Sequence, residues 1–154
     1  MEQWLGTVTD QLETIAVVAF AIVLGAAVGL NRERADKPAG IRTHALVAGA
    51  AALLVELGDV LIRLHDQYTT PDVLRADPFR LVEAVVTGVS FLGAGTIIRQ
   101  RGEQVEGLTT AASVLFVAII GIAVAARQFA LAAGCTGLVL AVLVLSSGRR
   151  RAAG

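Results

Sequence analysis

Long uncharged apolar segments alternate with short charged segments along this chain. Asp, Glu, Lys and Arg are absent from residues 14–31, 107–126 and 128–148, and from two shorter segments, 43–55 and 84–98. Uncharged segments of about 20 residues are long enough to cross a bilayer as helices. We therefore predict an all-α integral membrane protein, a single transmembrane domain over residues 1–154. Its five predicted transmembrane helices cover about 12–31, 41–62, 78–98, 107–126 and 128–148.

Two of the predicted helix boundaries have local signals. Only Arg127 interrupts the apolar residues 107–148, and one straight helix of that length would reach about 63 Å, roughly twice the hydrocarbon thickness. The chain must therefore reverse near Arg127. Asp77 is a good cap residue and Pro78 suits a first helical position, which predicts the start of helix 3.

Composition narrows the function classes. The chain is 55% hydrophobic and its formal net charge is zero, so no basic excess points to a nucleic-acid partner. The single Cys135 excludes an intramolecular disulfide framework. We find no Ser/His/Asp arrangement, phosphate-binding loop or CxxC motif, and we predict a protein that is not an enzyme and needs no cofactor.

The distribution of basic residues predicts the orientation. With the N-terminus outside, nine of the 13 basic residues fall in cytoplasmic segments, which the positive-inside rule favours. These nine are Arg32, Arg34, Lys37, Arg42, Arg99, Arg101 and Arg149–Arg151. We therefore predict a multi-pass protein of the bacterial cytoplasmic (inner) membrane, with its N-terminus outside and its C-terminus in the cytoplasm.

A motif of small residues, arginine and threonine occurs twice. Each copy has a small-residue helix end, an arginine-bearing loop and a Gly-Ile/Leu-x-Thr segment that opens the next apolar run. The two copies are Leu24-Gly25…Asn31-Arg32…Gly40-Ile41-Arg42-Thr43 and Leu92-Gly93-Ala94-Gly95…Arg99-Gln100-Arg101…Gly107-Leu108-Thr109-Thr110. In the predicted topology, helices 1–2 and 3–4 form a parallel internal repeat whose two loops face the cytoplasm.

These motifs resemble the MgtC/SapB family of bacterial membrane proteins. The resemblance covers helices 1 to 4 in order and is carried by Gly25, Gly29, Asn31, Arg32, Gly40, Arg42, Thr43, Phe91, Gly93, Gly95, Gly107, Thr109 and Thr110. It implies a link to magnesium homeostasis, to growth at low magnesium and to virulence. It also implies a candidate partner, the membrane ATP synthase, which some family members are proposed to bind and restrain; transport by the family itself is in doubt.

The chain departs from the family pattern at three places. Asn31 stands where the family usually has Glu, so that a carboxylate is lost unless Glu33 substitutes, and Glu106 stands where it often has Arg. Larger members also carry a soluble C-terminal domain, whereas this sequence stops at Gly154. We expect any function of that domain to be absent or supplied by another protein.

Three carboxylates near the predicted outer leaflet are candidate cation ligands. Glu56 and Asp59 are three residues apart and share a helix face, and Glu83 lies at similar depth in helix 3. Intramembrane carboxylates are functional candidates, and magnesium takes one or two carboxylates together with water. The alternative is that helix 2 ends early and Asp59 pairs with Arg63 at the interface. Glu56 would then reach outward or bond within the bundle.

Arg42 is the candidate for a role at the cytoplasmic pole, because a cation at a helix start gains nothing from the helix dipole. Together with Thr43, Thr109 and Thr110 it would frame an anion or carboxylate site between two helix N-termini. A partner's acidic residue, a lipid phosphate or the internal carboxylate of Glu33 would fit such a site. The alternative is an internal structural clamp.

Two function hypotheses follow. The first is a regulatory module that binds another membrane protein, or a second copy of itself, through small-residue helix faces. The second is a transporter of magnesium or another cation that uses the outer carboxylates.

Overall fold

The computed structural model describes residues 8–68, 78–97 and 106–151, with the backbone only at 63–68, 78 and 146–151. The described chain is all-helical. Its five helices are α1 (Val8–Arg34), α2 (Ile41–Tyr68), α3 (Pro78–Gly95), α4 (Leu108–Ala125) and α5 (Phe129–Arg151). The number and order of helices agree with the prediction, and α3 begins at Pro78 as expected; Asp77 lies outside the described residues.

Several helix ends differ from the prediction. α1 and α2 extend beyond their apolar segments, to Arg34 and Tyr68, because polar residues continue a helix once it protrudes from the apolar layer. The alternative that helix 2 ends early is therefore wrong. α3 instead stops at Gly95, three residues before the predicted end.

The reversal between α4 and α5 lies at Arg127, as predicted. Arg127 has a left-handed backbone (φ 61°); its amide donates to Val124 O (2.9 Å), and the Gln128 amide donates to Ala123 O (2.9 Å). This pair of bonds is the Schellman motif, which satisfies the last carbonyls of a helix and turns the chain. Two helices short enough for a bilayer replace one that would be too long.

α1, α2 and α4 pack against one another and form the centre of the bundle, while α3 packs on α2 and α4, and α5 on α1 and α4. The centre is built from small and β-branched side chains. Buried residues of the three central helices include Ala21, Val28, Ala48, Ala52, Val114, Val117, Ala118, Ile120 and Val124.

Two glycines bring α2 close to its neighbours. A Cβ on Gly25 of α1 would lie 2.5 Å from His44 O and 2.8 Å from Ala48 Cβ, and one on Gly121 of α4 would collide with Ala48 O. Small residues allow such approach where no hydrophobic effect drives helix association. In contrast, a Cβ on Gly88 of α3 would meet nothing within 4 Å. Gly25 and Gly121 are thus required for close helix packing, whereas Gly88 is not.

The outer surface of the bundle is apolar. Phe91 is 82% exposed, and Leu46, Leu138 and Leu145 are also largely exposed, which suits helices surrounded by lipid rather than water. Over the described residues, Val8–Arg34, Ile41–Ile62 and Leu108–Ala125 are long and apolar enough to cross a membrane, and Phe129–Leu145 is a shorter apolar helix. This is the architecture of an integral membrane protein.

Candidate functional site

A buried polar cluster joins the three central helices at the end where α1 stops and α2 and α4 begin. Arg32, in the last turn of α1, is only 6% exposed, and its Nη2 donates to Thr110 Oγ1 of α4 (3.1 Å). A buried guanidinium is expensive unless it is hydrogen-bonded, so this contact is a strong constraint on the packing of α1 against α4.

His44 of α2 is completely buried in the same cluster. Its Nδ1 lies 2.9 Å from Gly40 O, and its Nε2 lies 3.0 Å from Ser113 Oγ of α4. The Ser113 hydroxyl is also 2.8 Å from Thr110 O, to which it donates. We call Arg32, His44, Thr110 and Ser113 the Arg32 cluster.

The turn between α1 and α2 positions this cluster. Asp36 has a left-handed backbone (φ 52°), and α1 ends in a Schellman motif, with bonds from Asp36 N to Glu33 O (3.0 Å) and from Lys37 N to Arg32 O (3.1 Å). Glu33 Oε2 then accepts a hydrogen bond from Ile41 N (2.9 Å). A carboxylate of α1 thus caps α2, where it also meets the positive end of the helix dipole.

The arginine that enters the cluster is Arg32, whereas Arg42 is exposed. Thr43 and Thr109 are exposed as well, so of the four residues predicted to frame an anion site only Thr110 is buried. Glu33, one of the three predicted occupants, instead takes the N-terminus of α2 directly. Glu33 is therefore an internal cap of α2, and an anion site at the exposed Arg42 stays a prediction.

The sequence contains a signal that Arg32 is buried, namely its spacing from two glycines of α1. Gly25, Gly29 and Arg32 follow one another at intervals of four and three, which places them on one helix face. All three are buried, and Asn31, beside them, is half-buried. An arginine on the glycine face points into the bundle, whereas Arg34 is exposed.

The other motif residues have separate roles. A Cβ on Gly29 would lie 2.7 Å from Gly40 O, and one on Gly40 would lie 2.6 Å from Glu33 Oε2, so both help to close the α1–α2 turn. Gly107 has a φ of 90° and lies against the backbone of Thr96, where only glycine avoids strain. The remaining members are less constrained: Gly93 has ordinary contacts with Ala111, Gly95 faces open space, and Phe91 is exposed.

A second polar cluster lies at the opposite end of the bundle. Arg127 Nη1 is 2.7 Å from Glu56 Oε1 of α2, and its Nη2 is 3.0 Å from Glu13 Oε1 of α1. Thr14 Oγ1 donates to the second oxygen of Glu56 (3.3 Å). We call Glu13, Thr14, Glu56 and Arg127 the Arg127 clamp. It ties the α4–α5 turn to α1 and α2.

The three candidate cation ligands are not brought together. Glu56 and Asp59 line a cavity of about 570 Å³ that Arg127 also lines, whereas Glu83 is exposed and is not among the residues lining it. Among the described residues, no group of three or more His, Cys, Asp or Glu side chains has a geometry that suits a metal ion. The Glu56 side chain is only 12% exposed and is already paired with a guanidinium, which opposes cation binding there.

Sequence reasoning misses the Arg127 clamp. The pattern marks Arg127 as a turn and Glu13 as a charge before the first apolar segment, but 114 positions of sequence separate them. Their opposite charges at two predicted helix ends on the same side of the membrane are the available signal. Gly121 is missed too, since it stands alone without a GxxxG partner.

Fold and site together define a helical membrane protein of the bundle type, with a buried polar cluster at one end and a partly exposed ion-pair cluster at the other. The chain belongs to the MgtC family, whose family model matches residues 18–151.

Curated relatives agree with this assignment. The chain is 38% identical over 125 residues to "Protein MgtC" of Salmonella typhimurium, covering 81% of this chain and 48% of the relative. It is 37% identical over 136 residues to "Putative magnesium transporter YhiD" of Escherichia coli K12, covering 85% and 58%. An uncharacterized protein of Haemophilus influenzae is 38% identical over 118 residues, covering 76% and 48%. The chain thus spans about half the length of these relatives, and no solved structure matches it.

Proposed function

We propose that this chain is a regulatory membrane module in bacterial magnesium homeostasis, which acts by binding another membrane protein. Family membership and the names of the relatives support the link to magnesium. The proposed setting is the cytoplasmic (inner) membrane, crossed by all five helices with the N-terminus outside. The exposed Arg34, Lys37 and Arg42 around the α1–α2 turn support a cytoplasmic location for that turn.

The observation that carries the proposal is the apolar interior between the two polar clusters. Over the described residues, the buried side chains of the central helices between the clusters are Ala, Val and Ile, such as Ala21, Ala48, Ala52, Val117, Ala118 and Ile120. Gly25 and Gly121 close the helices tightly around α2. A path for a hydrated ion needs polar groups at membrane depth, and this packing favours binding over conduction.

The surface proposed for the partner is the groove between α2 and α3. It encloses about 210 Å³ and is lined by apolar and small residues, including Ala50, Ala51, Ala84, Gly88 and Leu92. Such a surface allows the backbone of a partner helix to approach closely. α3 is also a peripheral helix, in contact with α2 and α4 over the described residues. The family resemblance makes the membrane ATP synthase the first partner to test, and a second copy of this chain the next.

A bulky side chain in the groove tests the proposal. Gly88→Leu should fold normally, because nothing lies within 4 Å of a Cβ there, and should fill the groove; Gly137→Leu on α5 is the matched control, with equally open space. We expect the wild-type protein and Gly137→Leu to co-purify with ATP synthase from mild detergent and to lower ATP hydrolysis by inverted membrane vesicles. Gly88→Leu should do neither. Recovery of a lone monomer from the wild type, with unchanged hydrolysis, would overturn the proposal.

Cation transport is the second candidate, and the cavity lined by Glu56, Asp59 and Arg127 is the observation that favours it. Transport through it predicts magnesium uptake into proteoliposomes that Asp59→Asn abolishes and that Glu83→Gln, outside the cavity, leaves unchanged. Equal flux in all three proteins, or flux in none, would reject this candidate.

A further inference from the structure

A chain of three short contacts runs through His44 from one helix to another. It begins at Gly40 O, 2.9 Å from His44 Nδ1, passes from Nε2 to Ser113 Oγ at 3.0 Å, and ends at Thr110 O, 2.8 Å from Ser113 Oγ. Both ends are backbone carbonyl oxygens, which only accept hydrogen bonds. Each of the three contacts therefore needs one hydrogen from His44 or Ser113.

Counting hydrogens separates the two charge states of His44. A neutral imidazole has one N–H and the serine hydroxyl adds one hydrogen, so two hydrogens serve three contacts. In that state one contact brings two acceptors together: if Nδ1–H donates to Gly40 O, then Ser113 serves either Nε2 or Thr110 O. The imidazolium donates from both nitrogens and leaves the Ser113 hydroxyl for Thr110 O. Uptake of one proton thus completes the chain.

Some groups around His44 oppose a positive charge on its ring, and one favours it. Burial and the positive guanidinium of Arg32, from α1, oppose a second positive charge. Glu33, also from α1, is the negative group next to Gly40, where a Cβ would lie 2.6 Å from its Oε2. Thr110 and Ser113 face His44 from α4 and carry no charge. Completion of the chain favours the imidazolium, whereas burial and the charge of Arg32 oppose it, so the balance of these influences sets the pH at which His44 changes charge.

With Ser113 donating to Thr110 O and Nδ1–H donating to Gly40 O, the neutral ring has no hydrogen between Nε2 and Ser113 Oγ, so the contact that changes with the proton is the one that links α2 to α4. Thr110 is also the residue whose side chain receives the Arg32 Nη2 hydrogen bond, so its backbone and side chain are held from α2 and from α1. We propose that His44 is a proton-operated latch between α2 and α4, in which one proton completes the hydrogen-bond chain from Gly40 to Thr110 and tightens the start of α4.

The test is a direct count of hydrogens on the His44 ring. The chain has two histidines, so His65→Gln leaves His44 as the single histidine in a protein labelled with ¹⁵N-histidine and placed in lipid nanodiscs. Between about pH 8 and pH 5, the range in which histidine changes charge, we expect the spectrum to pass from one ring N–H to two. Hydrogen exchange at the amides of the first two turns of α4 should slow in parallel. A ring that keeps one N–H throughout would overturn the proposal.

Two serine variants test whether Ser113 transmits the change. In Ser113→Ala, built on the same His65→Gln background, the link to Thr110 O is cut, and we expect exchange in α4 to become independent of the His44 charge. Ser90→Ala is the matched control, because Ser90 is exposed on α3, and it should keep the pH dependence. Persistence of the coupling in Ser113→Ala would also overturn the latch.

Discussion

Arg127 combines a backbone strain with a side-chain clamp, and substitutions can separate the two. Its φ of 61° is a conformation that costs a side-chain-bearing residue about 1–2 kcal/mol relative to glycine. Its guanidinium meanwhile bridges Glu56 and Glu13 from the turn between α4 and α5. Glycine at this position would remove the clamp and relieve the strain, whereas alanine would remove the clamp and keep the strain.

The exposure of Glu56 and of Glu13 determines how much each ion pair with Arg127 contributes to stability. Glu56 has a side chain only 12% exposed, so loss of its charged hydrogen bond should cost about 1.5–3 kcal/mol. Glu13 is 64% exposed, and an exposed pair contributes about 0–1 kcal/mol. We therefore expect Arg127→Ala to lower the free energy of unfolding by about 1.5–4 kcal/mol, and Arg127→Gly to lower it by about 1 kcal/mol less.

The single cysteine provides the assay. Cys135 lies half-buried in α5, so a dye that fluoresces on reaction with a thiol reports unfolding in detergent during a temperature ramp. A change of 1 kcal/mol shifts Tm by about 2–4 °C in a protein of this size, which predicts a loss of about 3–16 °C for Arg127→Ala. Combining Arg127→Gly with Glu56→Gln should cost less than the sum of the single changes, because the part-buried position 56 then carries no unpaired charge. Equal Tm values for the Ala and Gly variants, or strict additivity in the double variant, would refute this account.

Five further substitutions test the helix packing, the Arg32 cluster and the start of α4 in the same assay. Gly25→Ala should lower stability by about 1–3 kcal/mol through overpacking against α2. Gly88→Ala has open space around it and should raise stability by about 0.5–1 kcal/mol through helix propensity. An equal loss of stability in both variants would contradict the packing described above. Arg32→Ala should abolish stable folding or greatly lower Tm because it removes the buried bond to Thr110. Arg42→Ala should stay within about 0.5 kcal/mol of the wild type, because Arg42 is exposed. A larger loss of Tm for Arg42→Ala than for Arg32→Ala would restore Arg42 as the central arginine. Gly107→Ala should lower Tm because a Cβ would meet the Thr96 backbone at a φ of 90°, and an unchanged Tm would show that the α3–α4 loop can relax.

Much of the architecture could be predicted from local features of the sequence. Uncharged segments specified five helices, and the length limit of a bilayer located the reversal at Arg127. The family followed from the order of the motifs, and the family model confirms it. Helix ends were less predictable, since α1 and α2 continue into polar residues that propensity alone allows to be helical or not.

The polar contacts depended on features that a linear pattern does not contain. Arg32 and Arg42 are similar in sequence, in that both flank the α1–α2 turn, but the rotation of each helix about its axis buries the first and exposes the second. The sequence left open whether Glu56 is a cation ligand or bonds within the bundle, and only the fold shows that the α4–α5 turn brings Arg127 to within 2.7 Å of it. The sequence by itself determined the membrane setting, the helices and the family, because these depend on hydrophobicity, length and local order. Only the tertiary structure decided which charges meet, since pairing depends on how the helices pack and rotate, and residues 71 positions apart become neighbours only in the folded bundle.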